Sequence, residues 1–176
     1  MSQRDSGYAR IERDAYETPE WVTLALVPQL PFMNTRTIWE PACGSGKMLR
    51  ALRSRGISVY GSDVTDGLDF LKTTETETDA IITNPPYELA SEFCTHAIAL
   101  MQSHKGLVAM LLRTDFDHAK TRQHLFGGCP QFAKKLVLTK RIQWFEHSTA
   151  SPSFNHAWFI WDWKHNGPPV LAYGPN

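Results

Sequence analysis

The segment Asn84-Pro85-Pro86-Tyr87 has the residue types best suited to chemistry in this chain. It follows a short apolar run, residues 80–83, that predicts a buried strand. Because proline has no N–H to donate to a sheet ladder, the strand must end there. An amide oxygen and a backbone carbonyl are then held rigidly at a strand end, where they can accept both hydrogens of a planar exocyclic amine. That pairing frees the nitrogen lone pair for attack, and Tyr87 offers a ring face, so the segment suits methylation of nitrogen. The alternative is that Asn-Pro merely marks a turn.

A glycine-rich turn upstream favours the chemical interpretation. Residues 38–49 predict a strand, a glycine turn and the start of a helix, and Gly44 and Gly46 allow the backbone to approach a ligand closely. The helix is expected to end at Gly56, and a second strand over residues 57–62 leads to Asp63. A carboxylate about 20 residues past such a turn can meet the ribose hydroxyls of a nucleoside.

Two other phosphate-binding motifs fit this turn poorly. A phosphate-binding loop needs Ser or Thr after Gly-Lys and a glycine five positions earlier, but here Met48 follows Lys47 and Pro41 takes the earlier position. A dinucleotide-binding turn prefers a third glycine, where this chain has Leu49. A nucleoside ligand without phosphates remains, and S-adenosylmethionine is one.

The order of these segments resembles that of class I S-adenosylmethionine-dependent methyltransferases of the N6-adenine DNA methyltransferase group, of the small kind found in phages and prophages. The matching segments are Tyr16-Glu17-Thr18-Pro19, Glu40-Pro41-Ala42-Cys43-Gly44-Ser45-Gly46, Asp63, Asp69-Phe70 and Asn84-Pro85-Pro86-Tyr87, with a looser match over residues 151–159. Methyltransferases of RNA adenine and of protein glutamine use similar Asn-Pro-Pro-Tyr sequences. The resemblance is therefore more specific for fold and cofactor than for substrate.

The resemblance implies an α/β, Rossmann-like fold: a mostly parallel seven-stranded sheet with helices on both faces. We expect one methyltransferase domain over residues 1–176, with residues 1–15 mobile and no separate target-recognition domain. The implied cofactor is S-adenosylmethionine. The expected cofactor-binding residues are Tyr16, Thr18, Glu40, Pro41, Ala42, Cys43, Gly44, Gly46, Asp63, Asp69, Phe70 and Asn84.

The implied reaction is methyl transfer to an exocyclic amine, most simply N6 of adenine in DNA, with short or relaxed sequence specificity. The catalytic residues would be Asn84, Pro85, Pro86 and Tyr87, and the substrate-binding residues Tyr87, Arg113 and Phe154. The loop over residues 146–154 is the natural place for contacts to the target base. RNA adenine, a protein glutamine and an inactive binding protein of the same fold remain as alternatives. N4 of cytosine fits the same acceptor pair, although Tyr87 favours adenine in the families that the chain resembles.

Composition sets broad limits on partners and location. The 176 residues carry a formal net charge of zero, which gives a nucleic-acid enzyme little general attraction to phosphates. The basic residues nevertheless cluster in the second half, where a solvated face is the alternative interpretation; they are Arg113, Lys120, Arg122, Lys134, Lys135, Lys140 and Arg141. No apolar stretch approaches membrane-spanning length, and the N-terminus lacks the apolar core of a signal peptide.

The cysteines and histidines favour a reduced, metal-free protein. The three cysteines, Cys43, Cys94 and Cys129, are odd in number and widely spaced, which suggests reduced thiols in the cytoplasm of a bacterial cell or a phage-infected host. The sequence has no Cys-x-x-Cys pair and no His-x-x-x-His spacing, so we expect no metal site. The oligomeric state is left open, and a dimer is compatible with the sequence.

Overall fold

The computed structural model describes residues 16–31, 37–144 and 154–175. Within them one seven-stranded sheet forms the centre of the molecule. Its strands are β1 (Thr37–Glu40), β2 (Ser58–Gly61), β3 (Ala80–Thr83), β4 (Leu107–Arg113), β5 (Phe132–Leu138), β6 (His156–Asp162) and β7 (Val170–Gly174). The expected mobility of residues 1–15 and most of the expected target-contact loop lie outside the described residues.

The strand order is β2-β1-β3-β4-β6-β5-β7, and every neighbouring pair is parallel except those that involve β6. The chain passes from β1 outward to β2 and then returns across β1 to β3. This reversal makes a topological switch point between the carboxyl ends of β1 and β3, where ligands bind in open α/β sheets. Because β6 runs the other way, its first residue lies at the same edge as those carboxyl ends.

Helices cover both faces of the sheet, as the sequence predicts. The helices α1 (Glu20–Leu26) and α2 (Lys47–Arg53) pack on one face, and α3 (Ala90–His104) packs on the other. Successive strand residues alternate between the two cores, since Ile38 and Ile82 join the first and Trp39 and Ile81 the second. The predicted α/β architecture with a mostly parallel seven-stranded sheet is therefore confirmed.

Several local features differ from the sequence prediction. Thr18 before Pro19 and Glu20 predicts a helix capped by Thr18, but Pro19 occupies the N-cap position and no side chain caps the helix. The sequence also predicts a helix over residues 116–126. The structure has two 3₁₀ segments there, Phe116–His118 and Lys120–Leu125, because Ala119 between them is extended. The strand β7 was not predicted. It lies at the sheet edge, and its residues Val170, Leu171 and Tyr173 are exposed. Its sequence, Val-Leu-Ala-Tyr-Gly, does not alternate between apolar and polar residues, which is the pattern by which half-buried strands are recognised.

Candidate active site

The glycine turn after β1 is fastened to the end of β2 by its own backbone. The Cys43 N–H donates to the Ser62 carbonyl at 3.0 Å, and the Gly46 N–H donates to the Cys43 carbonyl at 2.8 Å. Gly44 and Gly46 have φ values of +48° and +79°, in the left-handed region that favours glycine. A Cβ on Gly44 would meet no atom within 4 Å, so the backbone there faces open space. A ligand can approach this backbone closely.

Gly61 is a structural determinant of this turn that the sequence reasoning missed. A Cβ placed on Gly61 would lie 2.8 Å from the Cβ and 2.9 Å from the Sγ of Cys43. The end of β2 can therefore approach the turn only because residue 61 has no side chain. The available signal was a glycine at the end of a predicted strand, which often marks close approach of another backbone.

Glu40, the last residue of β1, is a buried carboxylate beneath this turn. Its side chain is 2% exposed, and within the described residues its Oε2 has no hydrogen-bond donor. Burial raises the pKa of Glu40 well above its ordinary value, and the negative charge of Asp63 raises it further. A buried acceptor of this kind is costly unless a donor or cation reaches it. The carboxylate is suited to an ammonium group bound in the crevice.

Asp63 organises the turn from the other side. Its Oδ2 accepts the Gly44 N–H at 3.0 Å, while its Oδ1 accepts the N–H and hydroxyl of Thr65 at 3.0 and 2.8 Å. Asp63 thus both shapes the turn and presents a carboxylate beside it.

Asp69 and Phe70 are placed differently from each other. Asp69 is half-buried, where its Oδ1 accepts the Leu71 N–H at 3.1 Å and its carboxylate lies 3.1 Å from the Lys72 ammonium. The Phe70 ring is 2% exposed and packs in the core between Trp39 and Phe93, at centroid distances of 5.2 and 4.9 Å. Phe70 therefore lies in the hydrophobic core, and little of its ring reaches the surface.

The segment Tyr16–Pro19, which we call the strap, connects the glycine turn with the Asn84 segment. The Asn84 Nδ2 donates to the Tyr16 carbonyl at 3.0 Å. Glu17 forms an ion pair with Lys47 at 3.2 Å, and its pKa is lowered by a hydrogen bond to Ser45 and by Lys47. The two motifs that are far apart in sequence are thus joined through the strap.

Asn84 itself presents an unused acceptor at the end of β3. The bond to the strap fixes its amide so that Nδ2 faces the Tyr16 carbonyl. Its Oδ1 is buried and has no hydrogen-bond donor within the described part of the chain. Pro85 is buried beside it, and Pro86 precedes the 3₁₀ segment Tyr87–Leu89. The rigid strand end predicted from the two prolines is confirmed, and an amide oxygen is available there.

Aromatic rings surround Tyr87. Its ring centroid lies 5.6 Å from that of Tyr16 and 6.5 Å from that of Trp144, and Tyr16 and Trp144 are themselves 5.6 Å apart. The Tyr87 hydroxyl is 2.9 Å from the Nε2 of His156. The sequence did not single out His156. For Trp144, the sequence favours a core or sheet position over a base-stacking role.

Arg113 and Phe154 reach the same edge of the sheet. Arg113 is the register partner of His156 across β4 and β6, and its guanidinium forms two hydrogen bonds with Asp115, at 3.1 and 2.7 Å. The guanidinium also lies 4.1 Å from the centre of the Phe154 ring. The structure thus brings both expected substrate-binding residues beside the Tyr87–His156 pair. Trp158, in contrast, is fully buried in the core.

The expected site residues form two groups, with a few members outside them. Those at the glycine turn and its flanks are Glu40, Pro41, Ala42, Cys43, Gly44, Gly46 and Asp63. Asp69 stands farther along the chain, where it caps the 3₁₀ segment Phe70–Lys72. Those joined at the end of β3 are Tyr16, Asn84, Pro85, Pro86 and Tyr87, with Thr18 in the strap between the groups and Arg113 and Phe154 beyond. Phe70 is the member that lies in the core.

Comparison with known proteins identifies the fold. No protein-family model and no curated protein matches this chain. Among solved structures, a Listeria monocytogenes protein assigned to the class I S-adenosylmethionine-dependent methyltransferases aligns with a TM-score of 0.64 and 13% identity, over 93% of this chain and 67% of that protein. The fold is that of class I S-adenosylmethionine-dependent methyltransferases.

Two further solved structures with this fold are also named as methyltransferases. The methyltransferase subunit of a Streptococcus thermophilus type I restriction-modification system aligns with a TM-score of 0.60 and 14% identity. The alignment covers 85% of this chain but only 45% of that subunit. A Pyrococcus horikoshii protein assigned as an RNA methyltransferase aligns with a TM-score of 0.57 and 12% identity, over 85% of this chain and 88% of that protein.

The described residues also lack two structural features, a membrane-spanning helix and a cluster of metal ligands. Among the helices of residues 16–31, 37–144 and 154–175, none has the length and apolar character needed to cross a membrane. In the same residues, no group of three or more His, Cys, Asp and Glu side chains is placed to hold a metal ion.

Proposed function

We propose that this protein transfers a methyl group from S-adenosylmethionine to N6 of adenine in DNA. The observation that carries the proposal is the Asn84 amide at the switch point of the sheet, whose Oδ1 is buried and has no donor within the described residues. A donor hydrogen at that Oδ1 would recover the free energy that burial without a partner costs. An exocyclic amine supplies such hydrogens.

The residues around the glycine turn fit the proposed cofactor. The buried Oε2 of Glu40, which has no donor in the described part of the chain, suits the cofactor's ammonium group, and the open face at Gly44 allows close approach of its methionine end. Asp63 would accept hydrogen bonds from the ribose hydroxyls. Asp69 would lie beside the adenine ring. When bound, S-adenosylmethionine supplies an electrophilic methyl group on a sulfonium sulfur. The remaining residues proposed to hold it are Tyr16, Thr18, Pro41, Ala42, Cys43, Gly46, Phe70 and Asn84.

The proposed work of the Asn84 segment is orientation. The Asn84 Oδ1 and the Pro85 carbonyl accept the two amine hydrogens, which directs the nitrogen lone pair toward the crevice. The Tyr87 ring stacks against the base. No strong base is needed, because the nitrogen becomes acidic only as it gains the methyl group. A duplex target must first leave the stack, at a cost of a few kcal/mol.

Charge at the same edge supports a nucleic acid over a protein glutamine. Arg113 is the last residue of β4, Lys140 and Arg141 follow the carboxyl end of β5, and Arg141 is hydrogen-bonded to Asn155, next to His156. Cations at this edge of the sheet can contact the phosphates on either side of a target nucleotide. Of the two nucleic acids, DNA is favoured by the sequence resemblance and by the restriction-modification subunit among the structural relatives. RNA is the second candidate, favoured by the RNA methyltransferase of the same fold.

The direct test is labelled S-adenosylmethionine with unmethylated single- and double-stranded DNA, RNA and a glutamine-containing peptide mixture, followed by analysis of the nucleosides and amino acids. We expect N6-methyladenine from DNA. Asn84→Ala should lower the rate by about 100-fold or more, as loss of a preorganised catalytic hydrogen-bonding group does. Asn166→Ala, at an exposed asparagine, is the matched control and should leave the rate unchanged. Label only in RNA or peptide would refute the DNA assignment.

A further inference from the structure

We infer that His156 is a positioning residue for this reaction: it holds the Tyr87 hydroxyl and so fixes the plane of the ring that stacks on the target base. The inference rests on the proposed function for its kinetic consequences. Its structural part, a hydrogen bond that orients Tyr87, can be tested without any substrate.

The topology explains how residues 69 positions apart meet. Tyr87 follows the carboxyl end of β3, whereas His156 begins β6, the one antiparallel strand, and therefore lies at the same edge of the sheet. His156 is 1% exposed, and its Nε2 lies 2.9 Å from the Tyr87 hydroxyl oxygen. The His156 end of this part-buried bond is thus shielded from water, which would otherwise compete for the imidazole.

The protonation state of His156 suits it as an acceptor. Burial and the positive charge of Arg113, its register partner, lower the pKa of His156 to about 4, although the backbone of Phe154 and the charge of Asp115 oppose this. The imidazole is therefore neutral near pH 7, and a neutral imidazole has one donor and one acceptor nitrogen. With the ring proton on Nδ1, Nε2 accepts from the Tyr87 hydroxyl; with the proton on Nε2, the hydroxyl oxygen accepts. In either tautomer, a Phe at position 87 would leave Nε2 buried without this partner.

The imidazole is itself held in place. The Trp144 ring meets the His156 ring edge to face, with centroids 5.2 Å apart and planes at 84°. Ladder pairing with Arg113 fixes the backbone of His156. Tyr87, by comparison, begins a 3₁₀ segment of three residues, and its ring also contacts those of Tyr16 and Trp144. The hydrogen bond ties the Tyr87 hydroxyl to a residue of the central sheet.

A purely structural role for His156 makes a different prediction. If His156 were only structural, replacing it would lower stability, and its effect on the rate would add to the effect of removing the Tyr87 hydroxyl. A positioning role acts only through that hydroxyl, so the two losses should not add. The informative variants are His156→Leu, which removes the acceptor, His156→Gln, whose side-chain oxygen can accept, Tyr87→Phe, and the double variant.

The kinetic arm measures single-turnover methylation and cofactor affinity for these variants. We expect His156→Leu to lower the rate about tenfold, the effect of a small misplacement of a reacting group, while the cofactor dissociation constant changes less than about twofold. His156→Gln should restore most of the rate. In the Tyr87→Phe protein, adding His156→Leu should change the rate by less than about twofold. His104→Leu, at an exposed histidine ending α3, is the matched control.

The structural arm uses protein labelled with 3-fluorotyrosine and observed by fluorine NMR, where the Tyr87 signal is the one missing from Tyr87→Phe. The chemical shift of that signal should change in His156→Leu and remain close to the wild-type value in His156→Gln and His104→Leu. Additive rate losses, or a Tyr87 signal indifferent to His156→Leu, would overturn the inference. If the wild-type protein methylates no substrate offered, the proposed function fails, and the fluorine spectra still decide whether His156 holds Tyr87. If His156→Leu does not fold, His156→Gln and Tyr87→Phe carry both arms: a Gln rate below that of Tyr87→Phe would overturn the inference.

Discussion

Replacing Glu40 with Gln should stabilise the protein while weakening its affinity for S-adenosylmethionine. The Glu40 carboxyl is 2% exposed, its Oε2 has no donor within the described residues, and Asp63 adds negative charge nearby. Folding therefore disfavours its ionised form. An amide of the same shape has no charge to desolvate, but it also has no charge with which to bind an ammonium group.

The two effects can be estimated separately. Removing the ionisable group from a buried, unpaired position should stabilise the fold by about 1–2 kcal/mol near pH 7. For a chain of this size, that corresponds to a rise in melting temperature of roughly 2–8 °C. Loss of a charge-assisted hydrogen bond of about 1.5–3 kcal/mol should weaken cofactor binding by roughly 10- to 150-fold.

The pH dependence of the melting temperature tests the same reasoning independently. Because the folded pKa of Glu40 is raised above its ordinary value of 4.5, the folded state holds the proton more tightly than the unfolded state. The stability that this proton contributes is complete below the unfolded pKa and is lost as the pH rises through the folded pKa. The melting-temperature advantage of Glu40→Gln should therefore be absent at acid pH and grow as the pH rises from about 4.5 toward and through the raised pKa.

Thermal unfolding from pH 4 to pH 8 and calorimetric titration with S-adenosylmethionine measure both quantities. Glu92→Gln, at an exposed glutamate of α3, is the matched control and should change neither by much. A Glu40→Gln protein that melts lower than wild type near pH 7, or that binds the cofactor equally well, would contradict the reasoning. The first result would mean that the carboxylate has a partner in solution, and the second that the ammonium group lies elsewhere.

Two further predictions concern packing. Gly61→Ala would place a methyl group 2.8 Å from the Cβ of Cys43, so it should displace the glycine turn, destabilise the fold by about 1–3 kcal/mol and weaken cofactor binding. Gly127→Ala, with no atom within 4 Å of the new methyl group, is the control, and equal effects in denaturant unfolding of the two variants would refute the argument. Trp158→Phe removes a buried indole N–H that donates to the Val22 carbonyl at 3.0 Å and should lower the free energy of unfolding by about 2–3 kcal/mol. A loss below about 0.5 kcal/mol would show that α1 does not depend on this bond.

Local sequence patterns were sufficient to predict most of the elements. The two prolines after residues 80–83 predicted where β3 ends, and Gly44 and Gly46 predicted the turn after β1; both were confirmed. Prediction was weaker where the local signal was ambiguous. Residues 116–126 have a helical pattern, yet an extended Ala119 divides them into two 3₁₀ segments, and Arg122 donates to the Phe116 carbonyl at 2.6 Å across the break. The position of the break depends on contacts between elements.

The sequence by itself determined the chemistry available at each strand end, because residue type and spacing fix which groups follow a strand. It placed an amide and two prolines after β3, a carboxylate at the end of β1 with a glycine turn after it, and a second carboxylate after β2. The tertiary structure decided how those groups are partnered. Within the described residues, the fold buries Glu40 Oε2 without a donor. The contact between Tyr87 and His156 depends on the strand order and on the antiparallel direction of β6. These are properties of residues far apart in the chain, which local periodicity does not encode.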